Sequence, residues 1–211
     1  MYLFDSMVII VIQPNNKEWI VNLDVPPLRK NPWTALVLPY EFGPDGISLC
    51  PQTVGRLERL VSAVRVDGYN IPAVVLAAGL PPAYWSDRDS CPHTMPFSDL
   101  MYSWLVAEKT FHFEQIHVSN DAHVWTSWSE INEAISMIER FELPRNILVV
   151  STGNHVYPRL WLTCRILLAF KKGWHVRFCP TWKYRVGMTH ELLGTVKYMP
   201  MSIASRLRKP Q

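Results

Sequence analysis

This sequence is short of cysteine, of long apolar runs and of charge of one sign, and each shortage removes a class of protein. The four cysteines, Cys50, Cys91, Cys164 and Cys179, include no Cys-x-x-Cys pair. A chain of 211 residues with so few, so scattered, is not a disulfide scaffold. Cys164 and Cys179 lie in apolar stretches and read as small core hydrophobes. Cys91-Pro92-His93 offers two metal ligands, but no second pair at zinc spacing accompanies it, so no metal site is expected. Near the start, the run from Met7 to Ile12 falls far short of the ~20 apolar residues that span a bilayer. The same stretch has no basic start and no small-residue cleavage site, which makes it a poor signal peptide. A cytoplasmic protein without an integral membrane segment is expected.

Charge is equally uninformative about macromolecular partners. Twenty-one Lys and Arg face eighteen Asp and Glu, for a net charge of +3. Nucleic-acid binding, which calls for a clustered basic face, is not expected. The most basic run, Arg206-Leu207-Arg208-Lys209, reads as a solvated tail. Several signatures are also missing. There is no Gly-x-Gly-x-x-Gly and no Gly-x-x-x-x-Gly-Lys-Ser/Thr, which counts against a standard dinucleotide site or a P-loop. There is no Gly-x-Ser-x-Gly, so a hydrolase nucleophile elbow has no support. Neither an internal repeat nor a low-complexity segment occurs, and the nine tryptophans are scattered.

What is present is a patterned, apolar chain. Hydrophobic residues make up 48% of it, and a chain this long buries about 70% of its unfolded surface. Residues 7–25 read as a β-hairpin: Met7 to Ile12 is β-branched, Pro14-Asn15-Asn16-Lys17 is turn chemistry, and Trp19 to Val25 alternates. Pro26-Pro27 breaks the chain, so residues 1–30 form an extension and 31–211 the main domain. From Trp33 strands alternate with helices, which predicts a three-layer, Rossmann-like α/β fold with a mostly parallel sheet. Strands are expected at Ala35–Leu38, Ala73–Ala77, Gln115–Val118, Ile147–Val150 and His175–Cys179. Leu57, Leu60, Val61 and Val64 mark one helix face. Leu100, Met101, Trp104 and Leu105 mark a second, with Ser98-Asp99 able to cap it. Ile131, Ala134, Ile135, Ile138 and Phe141 mark a third, with Glu130, Asn132, Glu133 and Glu139 on or near its polar side. A further helix is expected to begin near Pro158 and Arg159, and a last one to run around Glu191–Met199. The loop from Leu80 to Pro96 is long enough to be functional.

Right-handed crossovers bring the carboxyl ends of all these strands to one edge, where ligands bind in open α/β sheets. The turn after the fourth strand, Ser151-Thr152-Gly153-Asn154-His155, places two hydroxyls, an amide and an imidazole there. His155 suits an anion donor or a general acid–base near neutral pH; otherwise it is a structural histidine on loop carbonyls. Arg159, four residues on, suits bidentate anion binding, or is an ordinary surface arginine. Thr126 and Glu130 stand at a helix start; either Thr126 is the N-cap, or Ser127 caps it with Glu130 as in a capping box. Arg56 neutralises ligand charge or is solvated, Glu41 is a candidate for a ribose hydroxyl or a metal, and Gly79 allows close backbone approach or a plain turn.

Taken in order, these residues resemble the YdcF-like family, bacterial domains that include the SanA and ElyC envelope proteins. The resemblance spans roughly residues 33–180. It rests on Arg56-Leu57-x-Arg59, a strand ending Ala78-Gly79, Ser98-Asp99 before a helix, Thr126 with Glu130, and Val149-Val150-Ser151-Thr152-x-x-His155 followed by Arg159. The chain departs from the family at Ala78, where Gly is common, and at Asp99, where Glu is usual. It also has Ser129 or Glu130 in place of an Asn and four rather than three residues from His155 to Arg159. The family's membrane anchor is not evident. The resemblance implies a Rossmann-like domain with one small-ligand site, accepting a nucleotide-like molecule or S-adenosylmethionine, and for some relatives a role in the cell envelope. It implies ligand contacts from Glu41, Arg56, Gly79, Thr126, Glu130, Ser151, Thr152, Asn154 and Arg159, with His155 as the acid–base group if there is catalysis. It brings no particular reaction. The alternatives are a regulatory or interaction protein working through Tyr84-Trp85 and the N-terminal hairpin edge, and an S-adenosylmethionine-dependent transferase.

Overall fold

A computed structural model describes residues 29–183, apart from 44, 46, 81–94, 122, 169 and 170. The expected N-terminal hairpin, nearly all of the Leu80–Pro96 loop, Cys91-Pro92-His93 and the helix around Glu191–Met199 lie outside the described residues. Five short apolar strands form one all-parallel sheet: β1 (Thr34–Val37), β2 (Ala73–Leu76), β3 (Ile116–Val118), β4 (Asn146–Thr152) and β5 (His175–Thr181). Their order is β3-β2-β1-β4-β5. Helices connect them: α1 (Pro51–Arg65), α2 (Phe97–Glu108), α3 (Ser127–Arg140), a single turn α4 (Gly153–His155) and α5 (Trp161–Leu168).

Alternation along the strands divides the core in two. Ala35, Val37, Val74, Leu76, Leu148 and Val150 pack with Leu57, Leu60, Met101 and Leu105 of α1 and α2. Leu36, Leu38, Val75, Ile147 and Val149 pack with Ile131, Ile135, Ile138, Cys164 and Leu167 of α3 and α5. Strands covered on both faces read as continuous apolar runs, and the result is the expected helix–sheet–helix stack. Each fully buried aliphatic side chain contributes roughly 1.5–3 kcal/mol. Cys164 and Cys179 belong to these cores, and burial pushes their thiols up to about 12 and about 11.

Helix ends are set by local chemistry. Pro51 opens α1, where its missing N–H costs nothing, and Gly68, with φ 71°, turns the chain after it. Ser98-Asp99 does not cap α2. That helix starts at Phe97 behind Pro96, and its Phe97 and Ser98 N–H groups donate to the carbonyls of Gly79 and Ala78. The loop after β2 satisfies these donors, so no side-chain cap is called for. Thr126 does cap α3: its hydroxyl accepts from the Ser129 N–H (3.1 Å), while the Ser129 hydroxyl accepts from the Thr126 N–H (2.9 Å). The reciprocal partner is therefore Ser129, not Glu130. Two residues of the expected third helix differ from the periodic reading. Glu130 is buried, and Phe141, at 47% exposed, lies outside the core beside the Arg140 guanidinium.

The segment after β4 also differs. Helical structure begins at once at Gly153 rather than near Pro158, runs one turn, and breaks. Tyr157 leaves helical dihedrals (φ −116°, ψ 119°) inside a π-type turn spanning Val156–Leu160, after which α5 resumes. The residue before a proline is driven out of the α region by the ring, and Tyr157 precedes Pro158.

Candidate functional site

Between β1 and β4 the chain changes direction across the sheet: β2 and β3 lie on one side, β5 on the other. The crevice outside the carboxyl ends at such a switch point is the usual ligand position in open α/β sheets. Here it is built around a buried arginine. Arg56 rises from α1 and is fully inaccessible. Its Nη1 donates to the carbonyls of Leu38 and Pro39, both at 2.6 Å, and its Nη2 to Thr152 Oγ1 at 3.0 Å. One guanidinium thus joins the ends of β1 and β4, and the Tyr40 ring lies 5.6 Å away. Arg56 is an internal staple of the rim rather than a solvated helix residue.

His155 is buried one turn beyond Thr152. Its Nδ1 meets Ser151 Oγ at 2.9 Å and its Nε2 meets Ser127 Oγ at 2.9 Å. A neutral imidazole has one donor and one acceptor nitrogen, so one serine hydroxyl accepts from it and the other donates to it. Burial, together with the Arg56 and Arg159 charges, holds this imidazole well below its usual 6.5. Glu130 lies on α3 with the same two arginines as charged neighbours. Burial pushes its carboxyl up to about 8, against their opposing pull. At pH 7 the cluster therefore holds a neutral histidine, a protonated acid and two guanidinium cations. It carries an excess of positive charge in a desolvated setting, which favours an anion.

Arg159 belongs to this group, since its charge acts on both His155 and Glu130. Thr126 shapes the start of α3 and so places Ser127 and Glu130. Ser151 and Thr152 line the closed side, holding His155 and Arg56 respectively. Asn154 is half-buried in the same turn. Gly79 belongs to the rim, but its N–H donates to the Val124 carbonyl (2.6 Å) and its carbonyl accepts from Phe97, tying the loops after β2 and β3 together. Glu41 is exposed on the loop after β1, where its carbonyl accepts from Cys50, and no contact joins it to the His155 cluster.

Two contributors escape a reading by residue type. Ser127 looks like one more helix-start serine, and only the fold brings it to a histidine 28 positions away. Trp182, just past β5, lies with its ring against Gly153, leaving no room there for a Cβ, and is 57% exposed. Among the described residues no group of three His, Cys, Asp or Glu side chains is arranged to hold a metal, and no helix is long and apolar enough to cross a membrane. Comparison of the chain with protein-family models, with curated proteins and with solved structures yields no match.

Proposed function

We propose that this chain is a Rossmann-like domain of the YdcF-like type that binds a small anionic, nucleotide-like ligand at the β1–β4 switch point. The observation that carries the reading is the charge of the buried cluster. Arg56 and Arg159 act on Glu130 and His155 at one rim, and neither of the latter brings compensating negative charge at neutral pH. Arg159 is the ligand-facing cation in this reading, because it keeps partial exposure while Arg56 is fully buried. Asn154, half-buried, adds a polar contact at the adjoining turn.

A thermal-shift screen of the full chain against nucleotides, sugar phosphates and S-adenosylmethionine tests it. A ligand at 100 times its Kd adds about 2.7 kcal/mol, or roughly 5–11 °C in Tm for a chain of this size. Arg159→Ala should abolish the shift. Equal shifts in wild type and Arg159→Ala would place the ligand elsewhere.

A further inference from the structure

We propose that Ser127 is a nucleophile served by His155, and that the site cleaves a carboxylic ester bearing an anionic group. The geometry has the parts such chemistry needs. Ser127 Oγ and His155 Nε2 are 2.9 Å apart, which is nucleophile–base distance. The far nitrogen, Nδ1, is 2.9 Å from Ser151 Oγ. When Nδ1–H donates to Ser151, Nε2 is left to accept the Ser127 proton, and this is the tautomer the reaction uses. Ser–His constellations of this kind are recognised by geometry, so the absence of a nucleophile elbow in the sequence does not bear on this one.

Ser127 and His155 are both buried, each about 5% exposed, so the pair sits in a desolvated setting. Ser127 is also the first residue of α3, a helix of 14 residues. Its cap engages the N–H groups of Ser129 and Glu130, which leaves those of Ser127 and Trp128 at the open end. Backbone N–H groups at a helix start, with the positive end of its dipole, are suited to an oxyanion. Burial beside Arg56 and Arg159 keeps His155 unprotonated, with a ring nitrogen free to accept, across the neutral range, and lowers its basicity at the same time.

The step balances with water as the only co-reactant. Ser127 Oγ bonds to the ester carbonyl carbon while its proton passes to His155 Nε2. The carbon–oxygen bond to the alcohol breaks, and the alkoxide leaves with that proton. Water then adds to the acyl-serine, giving a proton to His155, and the carbon–Ser127 bond breaks to release the acid and restore the hydroxyl. The negative charge assigned to the substrate rests on the anion-site reading above; the dyad does not.

The experiment is labelling of the full chain with a neutral fluorophosphonate, followed by intact mass and peptide mapping. One adduct on Ser127 is expected, absent in Ser127→Ala and at least ~100-fold slower in His155→Gln, the usual weight of a lost general base. The rate should stay flat from pH 8 down to 6.5, whereas an ordinary histidine would be half protonated at the lower limit. Ser127→Cys keeps the side-chain shape and should react with iodoacetamide faster than the buried Cys50, Cys164 and Cys179. Wild-type protein that gains no adduct at Ser127, or gains it equally fast in His155→Gln, overturns the proposal. Because the probe is uncharged, failure of the anion-site reading would appear only as a missing thermal shift, with labelling intact.

Discussion

Replacing Glu130 with Gln should remove one proton from the pH dependence of stability, in a window set by its surroundings. The buried carboxyl titrates near pH 8, against 4.5 for an unperturbed one. Between those values the native state holds a proton that the unfolded chain has released. Stability therefore falls as pH rises across the window. His155 acts in the opposite sense. Its native imidazole stays neutral below 6.5, where the unfolded ring becomes protonated, so its contribution is complete above pH 6.5 and is lost as pH falls below it. From pH 6.5 to 8, Glu130 is the one of the two that contributes a slope. A single proton over that span amounts to about 2 kcal/mol, or roughly 4–8 °C in Tm for a chain of this length. Urea unfolding at pH 6.5, 7, 7.5 and 8 reads the slope directly. Wild type should lose that stability, and Glu130→Gln, neutral and of the same shape, should hold it. Coincident slopes would show that Glu130 is ionised in the native protein throughout and that its arginine neighbours outweigh its burial.

Two further outcomes follow from the staple and from the glycine contact. Arg56→Met keeps the bulk of the side chain but deprives Leu38 O, Pro39 O and Thr152 Oγ1 of their donor. At roughly 1–3 kcal/mol for each buried acceptor, a loss of about 3–5 kcal/mol is expected in chemical denaturation, and a loss below about 1 kcal/mol would refute the staple. Gly153→Ala should destabilise by about 1 kcal/mol by displacing the Trp182 ring. Adding Trp182→Ala should cancel that penalty, so a double-mutant cycle with purely additive effects would show that the two do not touch.

The layers and strand positions were legible in the sequence, because apolar runs of β-branched residues alternate with 3.6-periodic stretches. What was not legible depends on residues far apart in the chain. The burial of Arg56 requires carbonyls at positions 38 and 39 and a hydroxyl 96 positions away. No local pattern distinguishes it from a solvated helix arginine. Glu130 is different. Positions 127, 130, 131, 134, 135 and 138 form one helical stripe, and Glu130 belongs to it by spacing. Judging it by charge put it on the wrong side, whereas judging it by position would have flagged a buried acid. The helix expected to begin near Pro158 and Arg159 is instead preceded by a turn at Gly153–His155, broken at Tyr157, and resumes at Trp161.

The rim consists of two separately fastened halves. Backbone bonds from Gly79 to Val124 and from Phe97 to Gly79 lock the loops after β2 and β3 to each other, and Arg56 locks the ends of β1 and β4. Ser127 belongs to the first half and His155 to the second, so their hydrogen bond crosses the seam. A molecule that takes Ser127 away from His155 removes this crossing bond, while the β1–β2 ladder and the Phe42–Phe97 ring stack continue to join the halves. Occupancy of the cluster is then readable as faster amide exchange at the start of α3, the end of the seam that this bond holds.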